Sequence, residues 1–140
     1  MIHLRLSELA DAIGARLGGA DRDFSGVIAD SRKLAAGQLF VALRGERVDG
    51  HDYLAEVAAR SAAGAVVERL LDTTLPQLVV TNAEHALGEI ARVWRARCRA
   101  RVIGITGSNG KTTLKTLTHS ILSRAGQSHV NPGNLNNEIG

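Results

Sequence analysis

Two periods alternate along the apolar positions of this chain. Leu6, Leu9, Ala10, Ile13 and Leu17 fall on one face at helical spacing, with Ser7 placed to cap the start and Gly18-Gly19 to stop it. Residues 24–29 form a short strand candidate, followed by the turn-like Asp30-Ser31-Arg32. The run QLFVAL (38–43), bounded by Gly37 and Gly45, is apolar at nearly every position, as a strand covered on both faces must be. A polar loop from Arg44 to His51 follows. Tyr53, Leu54, Val57, Ala58 and Ala62 then return to helical spacing, closed by Gly64. Residues 65–68 and 78–81 read as two further strands. Strands alternating with helices predict an α/β domain of roughly eighty residues.

The pattern then starts again. Asn82 is placed to cap a helix whose Leu87, Ile90, Ala91 and Trp94 stand at i, i+3, i+4 and i+7. Its Arg-rich end leads to VIGIT (102–106), which predicts a compact strand. A glycine turn comes next, then a helix carrying Leu114, Leu117, Thr118, Ile121 and Leu122 on one side, with Gly126 as its stop. A further short strand is read near His129-Val130. The domain organisation predicted is therefore 1–82, a connecting helix and linker over 83–100, and the start of a second domain over 101–140.

The turn between that strand and helix carries chemistry. Gly107, Ser108, Asn109, Gly110, Lys111, Thr112 and Thr113 form a phosphate-binding loop in the strand–loop–helix context that such a loop requires. Its glycines let successive backbone N–H groups converge, and the helix that follows adds its positive end to the same field. Lys111 is the candidate catalytic residue, a point charge for the β- and γ-phosphates. The Thr112 hydroxyl is the candidate Mg²⁺ ligand. Ile105 stands where the commonest form of the motif has glycine, so this is a variant loop. By itself the loop says nucleotide-dependent enzyme and no more.

Composition narrows the classes. Hydrophobic residues at 44% and charged residues at 22% describe a globular chain rather than a disordered one. No uncharged stretch is long enough to span a bilayer, and Arg5, Glu8 and Asp11 break up any signal-peptide core. The lone Cys98 forms no internal disulfide, which fits a reducing, cytoplasmic setting. The net charge of +3 includes a cluster at Arg92, Arg95, Arg97, Arg99 and Arg101. With aromatic residues at only 3% for stacking, the cluster reads as a solvated face rather than a nucleic-acid site.

Three segments carry a family resemblance. TGSNGKTT (106–113) resembles the ATP loop of the Mur ligases, whose form is T-G-[TS]-[NS]-G-K-[TS]. DSRKLAAGQLFVALRGERVDGHDY (30–53) resembles the uridine-nucleotide-binding N-terminal domain shared by two late members, those adding the third stem residue and D-alanyl-D-alanine. PGNLNNEIG (132–140) is similar to the segment after the phosphate-loop helix in the second of these. The resemblance implies an ATP- and Mg²⁺-dependent amide ligation in peptidoglycan precursor synthesis. UDP-N-acetylmuramoyl-tripeptide and D-alanyl-D-alanine are the implied substrates. It also implies that Ser31, Arg32, Glu46, Arg47 and Val48 contact the uridine nucleotide, and that Asn134, Asn136 and Asn137 approach phosphates and substrate.

Other readings stay open beside it. Residues 30–32 suit a plain turn, His51 suits a loop histidine, and Glu138 a solvated carboxylate at a helix start. The chain as a whole suits a non-catalytic binder of a UDP-sugar peptide, or the ligase adding the third residue. A folate polyglutamylating ligase is disfavoured by Lys111-Thr112-Thr113 and by residues 30–53. The loop stands so late in the 140 residues that the second domain reads as incomplete. The expectations that follow are no turnover by these residues alone, and either self-association through an uncovered sheet edge or poor order over 101–140.

Overall fold

The computed structural model describes residues 3–46 and 48–131. They belong to two compact units, Met1–Cys98 and Arg99–Gly140.

The first unit is an α/β layer structure. Its elements are β1 (His3–Arg5), α1 (Leu6–Ile13), β2 (Arg16–Gly18), β3 (Asp23–Ser25), β4 (Val27–Ile28), β5 (Leu39–Val41), α2 (Leu54–Ala59), β6 (Gly64–Val67), β7 (Gln77–Val79) and α3 (Ala83–Arg97). Strands β1 and β3 make a small antiparallel ribbon. The main sheet runs β2-β7-β6-β5-β4. Within it β4, β5, β6 and β7 are mutually parallel, and β2 closes one edge antiparallel to β7.

Strand alternation divides the core in two. Leu39, Val41, Val66 and Leu78 point to one face, where Leu6, Leu9 and Ala10 of α1 and Ala83, Ala86 and Ile90 of α3 cover them. Phe40, Ala65 and Val67 point to the other, under Leu54 and Val57 of α2 and Leu34 and Leu75 of the connections. This is why residues 38–43 are apolar without a period: a central strand of a parallel sheet has no solvent face. Helix α3 is thus a wall of this first core as well as a connection.

Several boundaries differ from the sequence reading. Helix α1 begins one residue before Ser7, at an N-cap of Arg5, so Ser7 does not cap it. Ser7 instead donates its N–H and its hydroxyl to Asp21, at 3.0 and 2.8 Å. The helix ends at Gly14, and residues 16–18 become a strand. Leu17 has the spacing for either state, and pairing along the open edge of β7 decides it. The strand expected over 24–29 is broken at Gly26 between β3 and β4, which join different sheets. Gly64 does not stop α2. The helix ends at Arg60, and Gly64 opens β6, fully buried against Leu6 and Pro76.

The second unit contains α4 (Lys111–Ala125), ended by Gly126. The strand expected over 102–106 is absent among the described residues, as is one near 129–130. A strand exists only by pairing, and no described segment pairs with either. Val102 and Ile103 are largely exposed, as are Leu114, Leu117, Ile121 and Leu122 on α4.

Candidate functional site

The candidate phosphate loop takes its form from Gly110, the N-cap of α4, which sits at φ 76°, ψ 0°. That left-handed conformation disfavours any side chain there. A glycine cap brings no side chain to bond the helix start. The first helical N–H with a backbone acceptor is that of Leu114, bonded to the Gly110 carbonyl at 2.9 Å. The N–H groups of Lys111, Thr112 and Thr113 therefore have no intrahelical partner, and they stand at the positive end of a fifteen-residue helix. Lys111 Nζ lies over the same loop, 2.5 Å from the Gly107 carbonyl oxygen. Ser108, Asn109 and Thr112 are exposed. Convergent donors, a cation and a hydroxyl are the chemistry that a nucleotide's phosphates need.

Charge supports the same reading. Residues 99–140 carry Arg99, Arg101, Lys111, Lys115 and Arg124 against a single carboxylate, Glu138, a net +4 that more than accounts for the +3 of the whole chain. Described residues 99–131 contain no Asp or Glu at all. Among the described residues no cluster of three His, Cys, Asp or Glu could hold a metal. The Thr112 hydroxyl, exposed at the start of α4, is the candidate oxygen ligand for a hard cation held beside bound phosphates.

In the first unit, the candidate substrate residues stand where parallel strands end. Ser31 and Arg32 follow β4, and Glu46 and Val48 lie in the loop after β5. Because β4 and β5 are adjacent and parallel, both segments emerge at the carboxyl edge of the sheet, where α/β folds bind ligands. Asp30 caps a 3-10 turn over Ser31–Lys33 by accepting the Arg32 N–H. Arg32 also places Nε and Nη2 on the two Asp30 oxygens, both at 2.9 Å. That side-chain bond holds the Asp30 carboxyl below the usual range and raises the guanidinium. The turn therefore has its own structural cause, and Arg32 is engaged within it. Ser31 is buried, and its hydroxyl makes no hydrogen bond among the described residues. Glu46 and Val48 are exposed. Arg47, Asn134, Asn136, Asn137 and Glu138 lie outside the described residues.

The structure corrects the reading of His51. It is no loop histidine: its side chain is fully buried, with Nδ1 2.5 Å from Asp49 Oδ1 and Nε2 2.9 Å from the Glu68 nitrogen. Arg44 Nε lies 3.1 Å from Glu68 and 3.8 Å from Asp49, and Arg69 lies 3.7 Å from Asp49. The bond from the His51 backbone N–H is the main reason that the Asp49 carboxyl is lowered. The spacing Asp49-Gly50-His51 was visible in the sequence, but burial of the ring was not.

A depression of about 530 Å³ lined by Gly18, Gly19, Leu70, Leu71 and Gln77 opens at the amino end of β7. It contains none of the candidate residues.

Comparison with known proteins identifies the family. Residues 23–95 match the Mur ligase family, catalytic domain, and residues 105–140 match the Mur ligase middle domain. The UDP-N-acetylmuramoyl-tripeptide--D-alanyl-D-alanine ligase of Escherichia coli K12 is 46% identical over all 140 residues, which cover 31% of that protein. A crystal structure of MurF from Acinetobacter baumannii superposes with a TM-score of 0.90 at 35% identity, over 99% of this chain and 32% of that one. MurF ligase from Thermotoga maritima, in complex with ADP, gives 0.71 at 31% identity, over 81% of this chain and 27% of that one. The chain thus spans about a third of the length of these relatives. With one family match over more than half of its residues and a second over residues 105–140, the chain belongs to the Mur ligase family.

Proposed function

We propose that this chain carries the uridine-nucleotide and ATP-phosphate elements of a ligase that joins D-alanyl-D-alanine to UDP-N-acetylmuramoyl-tripeptide in peptidoglycan precursor synthesis. The observation that carries the reading is the uncapped start of α4 behind Gly110, with Lys111 folded over it. The identity to the Escherichia coli ligase along the whole chain favours this acceptor over the ligase that adds the third residue. On this reading residues 1–82 bind the UDP-substrate, 83–100 connect, and 101–140 open the ATP-binding domain.

The reaction is an acyl-phosphate ligation. The tripeptide carboxylate attacks the γ-phosphoryl group of ATP, releasing ADP, and the D-alanyl-D-alanine amine then displaces phosphate to form the amide. The N–H groups of residues 111–113 hold phosphate oxygens, and Lys111 leaves the Gly107 carbonyl to meet the charge on the transferring group. The Thr112 hydroxyl would help to hold Mg²⁺, whose charge would offset that of the phosphate oxygens. Gly107, Ser108 and Asn109 shape the turn, while Ser31, Arg32, Glu46, Arg47 and Val48 contact the uridine nucleotide. Asn134, Asn136 and Asn137 approach the phosphates. The proposed setting is cytoplasmic. Among the described residues no helix is long and apolar enough to cross a membrane.

Calorimetric titration tests this. ATP is expected to bind the 140-residue chain without turnover, and Lys111→Ala to weaken it about tenfold to a hundredfold, the range for a hydrogen bond to a charged group. UDP binding is expected to be unaffected by that change. Wild-type protein that binds no ATP, or a Lys111→Ala variant that binds it equally well, would overturn the reading. The exposed Leu114, Leu117, Ile121 and Leu122 also lead us to propose self-association of the 140 residues, which a monodisperse monomer in sedimentation would refute.

A further inference from the structure

We propose that His51 is a positioning residue for the uridine-nucleotide site: a neutral imidazole, protonated on Nδ1, that braces loop 44–50 against the end of β6. The proposal rests on the reading that this loop contacts the uridine nucleotide.

The two ring nitrogens face partners of opposite kind. The Glu68 backbone N–H can only donate, so Nε2, 2.9 Å away, must accept. Nδ1 faces Asp49 Oδ1 at 2.5 Å and therefore carries the proton. Asp49 is an acceptor because hydrogen bonds from His51, its backbone N–H foremost, keep its carboxyl low. The tautomer thus follows from the chemistry of the partners. Through it, the foot of a surface loop is joined to a strand end 17 residues further along the chain.

Everything else near the ring serves the same anchoring. The Gly50 N–H donates to the Leu43 carbonyl, and the Gly45 N–H to that of Val48, both at 2.8 Å. Arg44 spans Glu68 and Asp49, and Arg69 approaches Asp49 from the segment just after β6. Glu68 in turn accepts the Ala83 N–H at the start of α3. Glu46 and Val48 are exposed at the tip, so the loop takes its shape from this base rather than from packing of its own. A second ring proton would set Nε2–H against the Glu68 N–H, donor facing donor. The brace therefore needs a ring with a single proton, and Asp49, Glu68, Arg44 and Arg69 are the charged groups around it.

A histidine that only filled space would be replaceable by Phe. A brace needs an acceptor at the Nε2 position. His51→Gln offers a carbonyl there, whereas His51→Asn keeps a donor towards Asp49 but falls short of Glu68. The test uses the full 140-residue chain, with nitrogen-15 NMR of the imidazole, amide exchange at Gly45, Gly50 and Glu68, and UDP titration. The expected ring signature is the Nδ1–H tautomer. Glu68 exchange should rise about tenfold in His51→Asn and His51→Phe, as for one hydrogen bond lost, and less in His51→Gln. UDP affinity should fall in the same order, while ATP affinity stays unchanged. An Nε2–H tautomer, or His51→Phe with wild-type exchange and UDP binding, would overturn the proposal. If wild type binds no UDP, the uridine site is refuted, while tautomer and exchange still decide the brace. Both wild-type measurements decide it even if the variants fail to fold.

Discussion

A β-carbon added to Gly50 would lie 2.8 Å from Ala42 Cα and from the Leu43 nitrogen and oxygen. These are backbone atoms of the segment leaving β5, so nothing can swing aside. Gly50→Ala is expected to destabilise the fold by about 1–3 kcal/mol, the cost of overpacking, and to loosen loop 44–50; thermal unfolding and amide exchange at Gly45 check this. Gly110 is different, because open space surrounds it and only its positive φ excludes a side chain. Gly110→Ala is expected to cost about 1–2 kcal/mol and to weaken ATP binding by tilting the start of α4, which titration reads directly. The need for Gly110 was legible in the sequence, since a glycine turn running into Lys-Thr and an amphipathic helix carries its own signature. That of Gly50 was not, because the atoms it would meet belong to another turn of the chain.

Among the elements, α3 is the most completely foreseen. Asn82 accepts the His85 N–H at 2.7 Å as its cap, and Ile90 is buried with Leu87 and Trp94 beside it. Asn82→Ala is expected to cost about 1 kcal/mol, lowering Tm by roughly 4–8 °C for a unit of this size; calorimetry measures it. Local rules sufficed because a cap and an amphipathic stripe act within one helix. They failed at 16–18 and 102–106, where the state depends on a partner. Residues 16–18 find one in β7, and 102–106 find none among the described residues.

At the scale of the molecule, charge divides unevenly. The region 99–140 carries the positive excess around the phosphate loop, with no carboxylate over 99–131. Mg²⁺ alone is therefore expected not to bind the chain, but to bind once ATP is present; titration of the metal with and without nucleotide tests this, and tight binding of metal alone would contradict it. The first unit carries the acid-sensitive contacts. Asp21 is held low by the Ser7 backbone N–H, Asp30 by the Arg32 side chain, Asp49 by the His51 backbone N–H and Glu89 by the Arg92 side chain. A carboxyl lowered by folding stabilises the fold fully above its unfolded value and less as pH falls through its folded one. Stability is thus expected to hold at neutral pH and to decline below about pH 4. Denaturant midpoints measured from pH 7 to 2 would show the decline.

The covered strand at 38–43, the cap and apolar stripe of α3, and the helix that follows Gly110 were all legible in the sequence itself. Each rests on a period, a cap or a turn acting among residues close along the chain. Only the tertiary structure decided that Leu17 lies in an edge strand, that Ser7 binds Asp21, and that His51 is buried between Asp49 and Glu68. Those states depend on which distant groups folding brings within hydrogen-bond reach, and spacing along one strand of sequence carries no record of that.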